Sequence, residues 1–285
     1  MEQLAVVSGW LALGLLMAAT VLYGYQFYLR RTNLSWWARF MAGAGTLALT
    51  ASIGFQSTAT EGTVLTGPHN TLVLLAWALL IVYFIIEHFI KVKTYGAFLV
   101  PLSVALLIVA ELLSGVTPTS ITAEEALLLD SWRVGIHVAL IIFAYAGFAI
   151  GGAASGLYLV LDRQLKRHKT TAMFRRMPSL TQTQALARRA IALAFPAYTA
   201  GILLGTIRAI ETDLAGWWQD PRVMVSGIVF AVFGYYLIRV YRHGISARTA
   251  AWIALVGLAF VIILAVIART LPTGFHVFAV PGIGS

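Results

Sequence analysis

Long apolar runs separated by short polar breaks dominate the chain, and a run of about 20 residues is long enough to cross a hydrocarbon core of roughly 30 Å as a helix. Eight such runs lie near residues 4–29, 36–56, 70–90, 95–115, 131–161, 190–211, 222–241 and 249–270. Because unpaired backbone cannot face lipid, the pattern predicts an all-α, polytopic membrane helix bundle, with about eight transmembrane helices in one integral membrane domain spanning 1–285. Two breaks stand out: a basic loop, 162–189, and a tryptophan-containing loop, 212–222, which holds "GWWQDPR". Within the runs, Gly147 with Gly151, Gly152 with Gly156, and Gly201 with Gly205 are spaced one turn apart, which lets helix backbones approach closely in lipid. Pro101 and Pro196 fall inside runs and are expected to kink them.

Composition agrees with a membrane protein, at 60% hydrophobic and 11% charged residues. The absence of cysteine excludes disulfides, thiolate metal sites and c-type haem attachment on this chain. The first run is a membrane helix rather than a signal peptide, since Glu2 precedes it, Arg30 and Arg31 follow it, and it is too long for a signal core. With eight spans and both termini outside (N-out/C-out), sixteen of the twenty Lys and Arg residues fall on the inner side and four outside. This one-sidedness accounts for the net charge of +9 without nucleic acid. The 162–189 block then reads as an inner-face stop signal that also meets anionic lipid. Most acids lie on the outer side, while Glu87 and Asp162 lie inside. The expected location is the cell membrane, as a multi-pass protein with its functional loops on the outer face.

Topology also sorts the histidines. His69, His137 and His276 are outer-side. His69, at the start of a run, reads as a solvated interfacial residue, whereas His137 sits deeper, in "VGIHVALIIF", where an imidazole needs a ligand or a hydrogen bond. His137, His276 and the Trp217–Trp218 loop share one leaflet. Two imidazoles can fill both axial positions of a haem iron while indole faces contact the porphyrin. Arg133, Arg208, Arg222 and Arg269 are the outer cations available to the propionates. Taken alone, the tryptophans fit an interfacial aromatic belt better than a haem platform.

From about residue 70 onward the chain resembles the haem-handling cytochrome c assembly proteins of the CcsA/ResC type, related to CcmC. "LLAWALLIVYFIIE" and "YGAFLVPLSVALLIVAE" are similar to the family's early helix pair, "HVALIIFAYAGFAIGGAASGLYLVLDRQLK" to its histidine-bearing helix, and "MPSLTQTQALARRAIALAFPAYTAGILLGTIRA" to the stretch before its tryptophan-rich loop. "GFHVF" stands where the family has its second external histidine. The resemblance implies that His137 and His276 are axial ligands of a non-covalently bound haem b. It also implies that Arg208, Trp217, Trp218, Asp220, Pro221 and Arg222 belong to the haem-binding loop. Against the pattern W-A-H-E-A-W-G-x-Y-W-G-W-D-P-K, the loop matches at Ala209, Glu211, Trp217, Asp220, Pro221 and Arg222. Arg208, Asp213 and Gln219 replace tryptophans, Gly216 replaces the tyrosine, and Trp218 is an indole shifted by one position. Tyr236 and Ile238 occupy the neighbourhood of a further intramembrane histidine found in many members.

The function implied is presentation of haem at the outer membrane face for attachment to apocytochrome c. Together with a CcsB/ResB-like membrane subunit, the chain would form part of a cytochrome c synthase (haem lyase). It contributes positioning, with no catalytic acid, base or nucleophile assigned. An alternative is a non-enzymatic CcsA-like subunit of a larger membrane complex, haem-loaded or haem-free. A haem or small-molecule transporter ranks third, because ionisable residues in mid-membrane are sparse.

Overall fold

A computed structural model describes residues 1–29, 32–59, 68–90, 95–113, 131–167, 177–212 and 216–270. Among these residues there are eight α-helices and no strands. They are α1 (Glu2–Leu29), α2 (Thr32–Ala59), α3 (Pro68–Ile90), α4 (Gly96–Leu112), α5 (Trp132–Lys166), α6 (Leu180–Glu211), α7 (Pro221–Ile238) and α8 (Ala247–Thr270). The described helices are apolar on their outward faces: Val7, Leu47, Leu203, Ile228 and Ile262 are all exposed, as a hydrocarbon solvent requires and water would penalise. Six helices are long and apolar enough to cross a membrane, namely those containing Glu2–Gln26, His69–Phe89, Trp132–Lys166, Leu180–Glu211, Pro221–His243 and Ala247–Leu264. The apolar helix α4 is shorter, and α2, which carries Thr46, Thr50, Ser52, Gln56 and Ser57, is not among the six. The protein is therefore a multi-pass membrane protein built from helices.

Two compact units divide the chain, Met1–Ala126 and Leu127–Ser285. In the first, α1 lies along α2, α3 against α4, and α4 against α1. Its polar residues are paired across helices. The Tyr23 and Tyr83 hydroxyls are 2.9 Å apart, and Arg39 Nε lies 3.3 Å from Oε2 of buried Glu87. Trp77 Nε1 donates to Thr50 Oγ1 at 2.8 Å. Such pairing is what lipid demands of polar groups on packed helices. Glycine makes the closest approach possible: a Cβ at Gly96 would fall 2.4 Å from Tyr23 Cζ.

In the second unit α5 packs along α6, α8 against α5 and α7, and α7 against α6. Phe148 of α5 stacks on Phe233 of α7 with ring centroids 3.8 Å apart, and Tyr198, Val229, Tyr236 and Ala254 complete the buried core. Tyr236, in the neighbourhood where the resemblance would place a further histidine, is part of the buried aromatic core. The glycine spacing does its expected work along the α5–α6 seam. A Cβ at Gly147 would lie 2.7 Å from Ala194 Cβ and one at Gly151 2.5 Å from Ile191 Cγ1, so only glycine admits this separation. Gly152 receives Leu258 of α8, while Gly156 makes only ordinary contact at 3.8 Å. Both α4 and α6 continue as helices through Pro101 and Pro196.

Two loop boundaries are corrected. The basic segment 162–189 is not one loop: α5 runs on to Lys166 and α6 begins at Leu180. The capping box explains the early start, since Gln182 N–H donates to Ser179 Oγ and Ser179 N–H to Gln182 Oε1. The polar "TQTQ" turn is helical although it would not sit in hydrocarbon. The loop 212–222 likewise ends early, because Pro221 and Arg222 already belong to the first turn of α7.

Candidate functional site

Three paired contacts follow one another along the end of the α5–α6 seam that carries Arg133 and Glu211. Arg133 and Glu211 close its end with an ion pair, Nη1 to Oε2 at 2.7 Å. One turn inward, His137 lies against Gly205, and a further turn inward Ile141 lies against Gly201. The residues 133, 137 and 141 share one face of α5 through their i, i+4 spacing, and Gly201 and Gly205 form a matching small-residue stripe on α6. A Cβ at Gly205 would stand 2.7 Å from His137 Cε1 and 2.8 Å from Nδ1, so the missing side chain is the space the imidazole fills.

His137 Nδ1 is 2.7 Å from the carbonyl oxygen of Gly201. A carbonyl only accepts, so Nδ1 carries the proton and donates it. In the neutral ring this leaves the lone pair on Nε2, the tautomer required of a metal-ligating imidazole whose other nitrogen is held by a backbone carbonyl. The deep imidazole thus has the hydrogen bond its environment demands, and the bond fixes both tautomer and ring plane. His276, the partner in the expected ligand pair, lies outside the described residues, as do Asp213 and the side chain of Arg269. His69, expected to be merely solvated, instead donates from Nδ1 to the Ala110 carbonyl at 2.9 Å, within the first unit.

The described end of the tryptophan loop is a short turn leading into a helix. Gly216 adopts φ +71°, a left-handed conformation that favours glycine, and opens the 3₁₀ turn Trp217–Gln219. Trp217 is half-buried and Trp218 is 57% exposed. Asp220 follows as the N-cap of α7: its Oδ1 accepts from Arg222 N–H at 2.7 Å, and Pro221 takes the first helical position, where its missing N–H costs nothing. Asp220 and Arg222 are both buried. Arg208 is half-buried in the last turn of α6. Arg133 pairs with the Glu211 carboxylate and lies 5.4 Å from the centroid of the Trp132 ring.

Several of these arrangements were not legible as site features in the sequence. Gly205 and the Gly201 carbonyl position the histidine, yet Gly201–Gly205 reads as helix packing alone. Asp220 and Pro221, read as part of a cofactor loop, have a local structural role of their own. Replacing Asp220 with alanine is expected to cost about 1 kcal/mol through loss of the cap. A lowered thermal midpoint in detergent checks this, and a cap with no other duty leaves any bound-haem spectrum unchanged.

The fold and site together define a helical, multi-pass membrane protein with a tautomer-fixed histidine at one end of a helix seam. Residues 66–276 match the profile of the family described as cytochrome C assembly protein, and the chain belongs to that family. It is 25% identical over 286 residues to the cytochrome c biogenesis protein CcsA of Trieres chinensis, covering 90% of this chain and 91% of that one. Against CcsA of Synechococcus sp. (strain CC9902) it is 26% identical over 262 residues, covering 84% and 85% respectively. Protein HemX of Brevibacillus brevis is 30% identical over 115 residues, which covers 40% of this chain and 42% of HemX. The family and these relatives place the protein in cytochrome c biogenesis.

Proposed function

We propose that the protein binds haem b non-covalently at the outer membrane face, with His137 and His276 as axial ligands, and presents it for attachment to apocytochrome c. The observation that carries this reading is the Nδ1–H···O=C bond from His137 to Gly201, which sets the ring in the ligating tautomer. The chemistry of the residues fits the group: a neutral imidazole for iron, an indole surface at Trp217 and Trp218, and guanidinium groups at Arg208 and Arg222 for propionates. When bound, haem supplies the vinyl groups to which cysteine thiols of an apocytochrome add. This chain's part is to hold and orient, with both termini and the tryptophan turn outside, acting beside a CcsB/ResB-like subunit.

A second reading, a haem-loaded but non-enzymatic subunit of a larger membrane complex, is favoured by the cap at Asp220 and by the replacement of family tryptophans at Arg208, Asp213 and Gln219. Co-expression with a ResB-like subunit and an apocytochrome bearing Cys-x-x-Cys-His, in cells without another assembly system, separates the two. Covalent haem on the cytochrome, dependent on His137, is expected from the first. Bound haem without covalent product would favour the second.

A further inference from the structure

The C-terminal end of α5 carries three cations and one acid within six residues, Asp162, Arg163, Lys166 and Arg167. The acid is already engaged: Lys166 Nζ lies 2.9 Å from Asp162 Oδ2. Other cations at this end of the second unit rest on rings, Arg188 over Tyr241 and Arg239 over Tyr235, each at 5.9 Å. Arg163 and Arg167 have neither kind of partner among the described residues. With Val160 and Gln164 they line a groove of about 430 Å³. The positions 160, 163, 164 and 167 are i, i+3, i+4 and i+7, one stripe of the helix, with the apolar residue nearer the helix's apolar stretch and the cations toward its C-terminal end. Val160 is 52% exposed, so the apolar end of the stripe is open.

We propose that this groove is a specific site for the phosphate of an anionic phospholipid, with Arg163 and Arg167 on the phosphate oxygens, Gln164 donating to the headgroup and the acyl segment along Val160. A guanidinium fork matches phosphate geometry with paired, charge-assisted hydrogen bonds. The change from valine to arginine over one turn matches the change from acyl chain to headgroup at a membrane surface. The site is independent of haem and adds a defined lipid contact to the general attraction of a basic face.

The full-length protein, reconstituted in vesicles of phosphatidylcholine alone or doped with phosphatidylglycerol, is re-extracted in mild detergent and its retained lipid quantified. Wild type is expected to enrich phosphatidylglycerol, and Arg163→Gln with Arg167→Gln to lower retention at least about tenfold. Lys166→Gln is expected to retain lipid as wild type does. If the double glutamine variant fails to fold, Arg163→Lys with Arg167→Lys carries the test, since it keeps the charge, loses the fork and is expected to retain an intermediate amount. Retention unchanged in the arginine variants, or an equal loss in Lys166→Gln, would overturn the site. The source is distinguished by thermal shift with inorganic phosphate and by Val160→Ser. If inorganic phosphate stabilises wild type but not the arginine variants, and Val160→Ser keeps its phosphatidylglycerol, the groove is a free-phosphate site and the lipid assignment falls.

Discussion

Exchange of His137 for alanine is expected to abolish the low-spin haem spectrum of the purified protein, whereas Trp217→Ala and Trp218→Ala each weaken haem retention modestly. The difference in scale follows from the contacts removed. Loss of an axial imidazole changes the coordination of the iron and hence its spin state. Removing one indole from the edge of a bound macrocycle forfeits packing worth roughly 1–2 kcal/mol. Trp218 in particular is 57% exposed, so it is not locked into a platform by the rest of the unit. The measurement is haem content and the oxidised and reduced spectra of each variant. Tryptophan variants devoid of haem beside a His137→Ala protein with a wild-type spectrum would reverse the ligand assignment.

The second large effect is expected at a residue with no functional group. Gly205→Ala places a methyl 2.7 Å from His137 Cε1 and 2.8 Å from Nδ1, well inside van der Waals contact. The ring cannot turn aside without breaking its 2.7 Å bond to the Gly201 carbonyl, because the bond and the contact act on the same nitrogen. The variant is therefore expected to lose most of the low-spin signal while keeping its helices, and Gly205→Val to lose more. Gly227→Ala on α7, where a new Cβ meets nothing within 4 Å, is the matched control and is expected to leave the spectrum alone. Overpacking of this kind costs about 1–3 kcal/mol in a packed interior, which a detergent melting curve separates from the spectral loss. An unchanged spectrum in both Gly205 variants would mean that the ring's placement does not matter to haem.

The existence and order of the helices were legible in the apolar runs because each must present an apolar surface to lipid. Their ends were not. Hydropathy marks where hydrocarbon stops, whereas a helix continues into water wherever caps and hydrogen bonds sustain it. The Ser179–Gln182 capping box therefore begins α6 ten residues before the apolar run predicted at 190–211. His137 was legible as a polar group too deep to stand alone, and the resemblance gave it a role. What the sequence could not display was its partner: a backbone carbonyl has no signature, and Gly205 shows its purpose only when the antiparallel seam sets it against position 137. In "QDPR" the same residues fit a helix start and a family motif, so their capping role became visible only with the turn in three dimensions.

The most direct test of the central claim is the absorption spectrum of the intact wild-type protein, purified after expression with ample haem and recorded oxidised and then reduced. A Soret band is expected and, on reduction, the sharp visible bands of a six-coordinate, low-spin iron with two imidazole ligands. A protein that is pure, helical and stable yet carries no haem under these conditions would contradict it, leaving His137 as a structural residue of the α5–α6 seam.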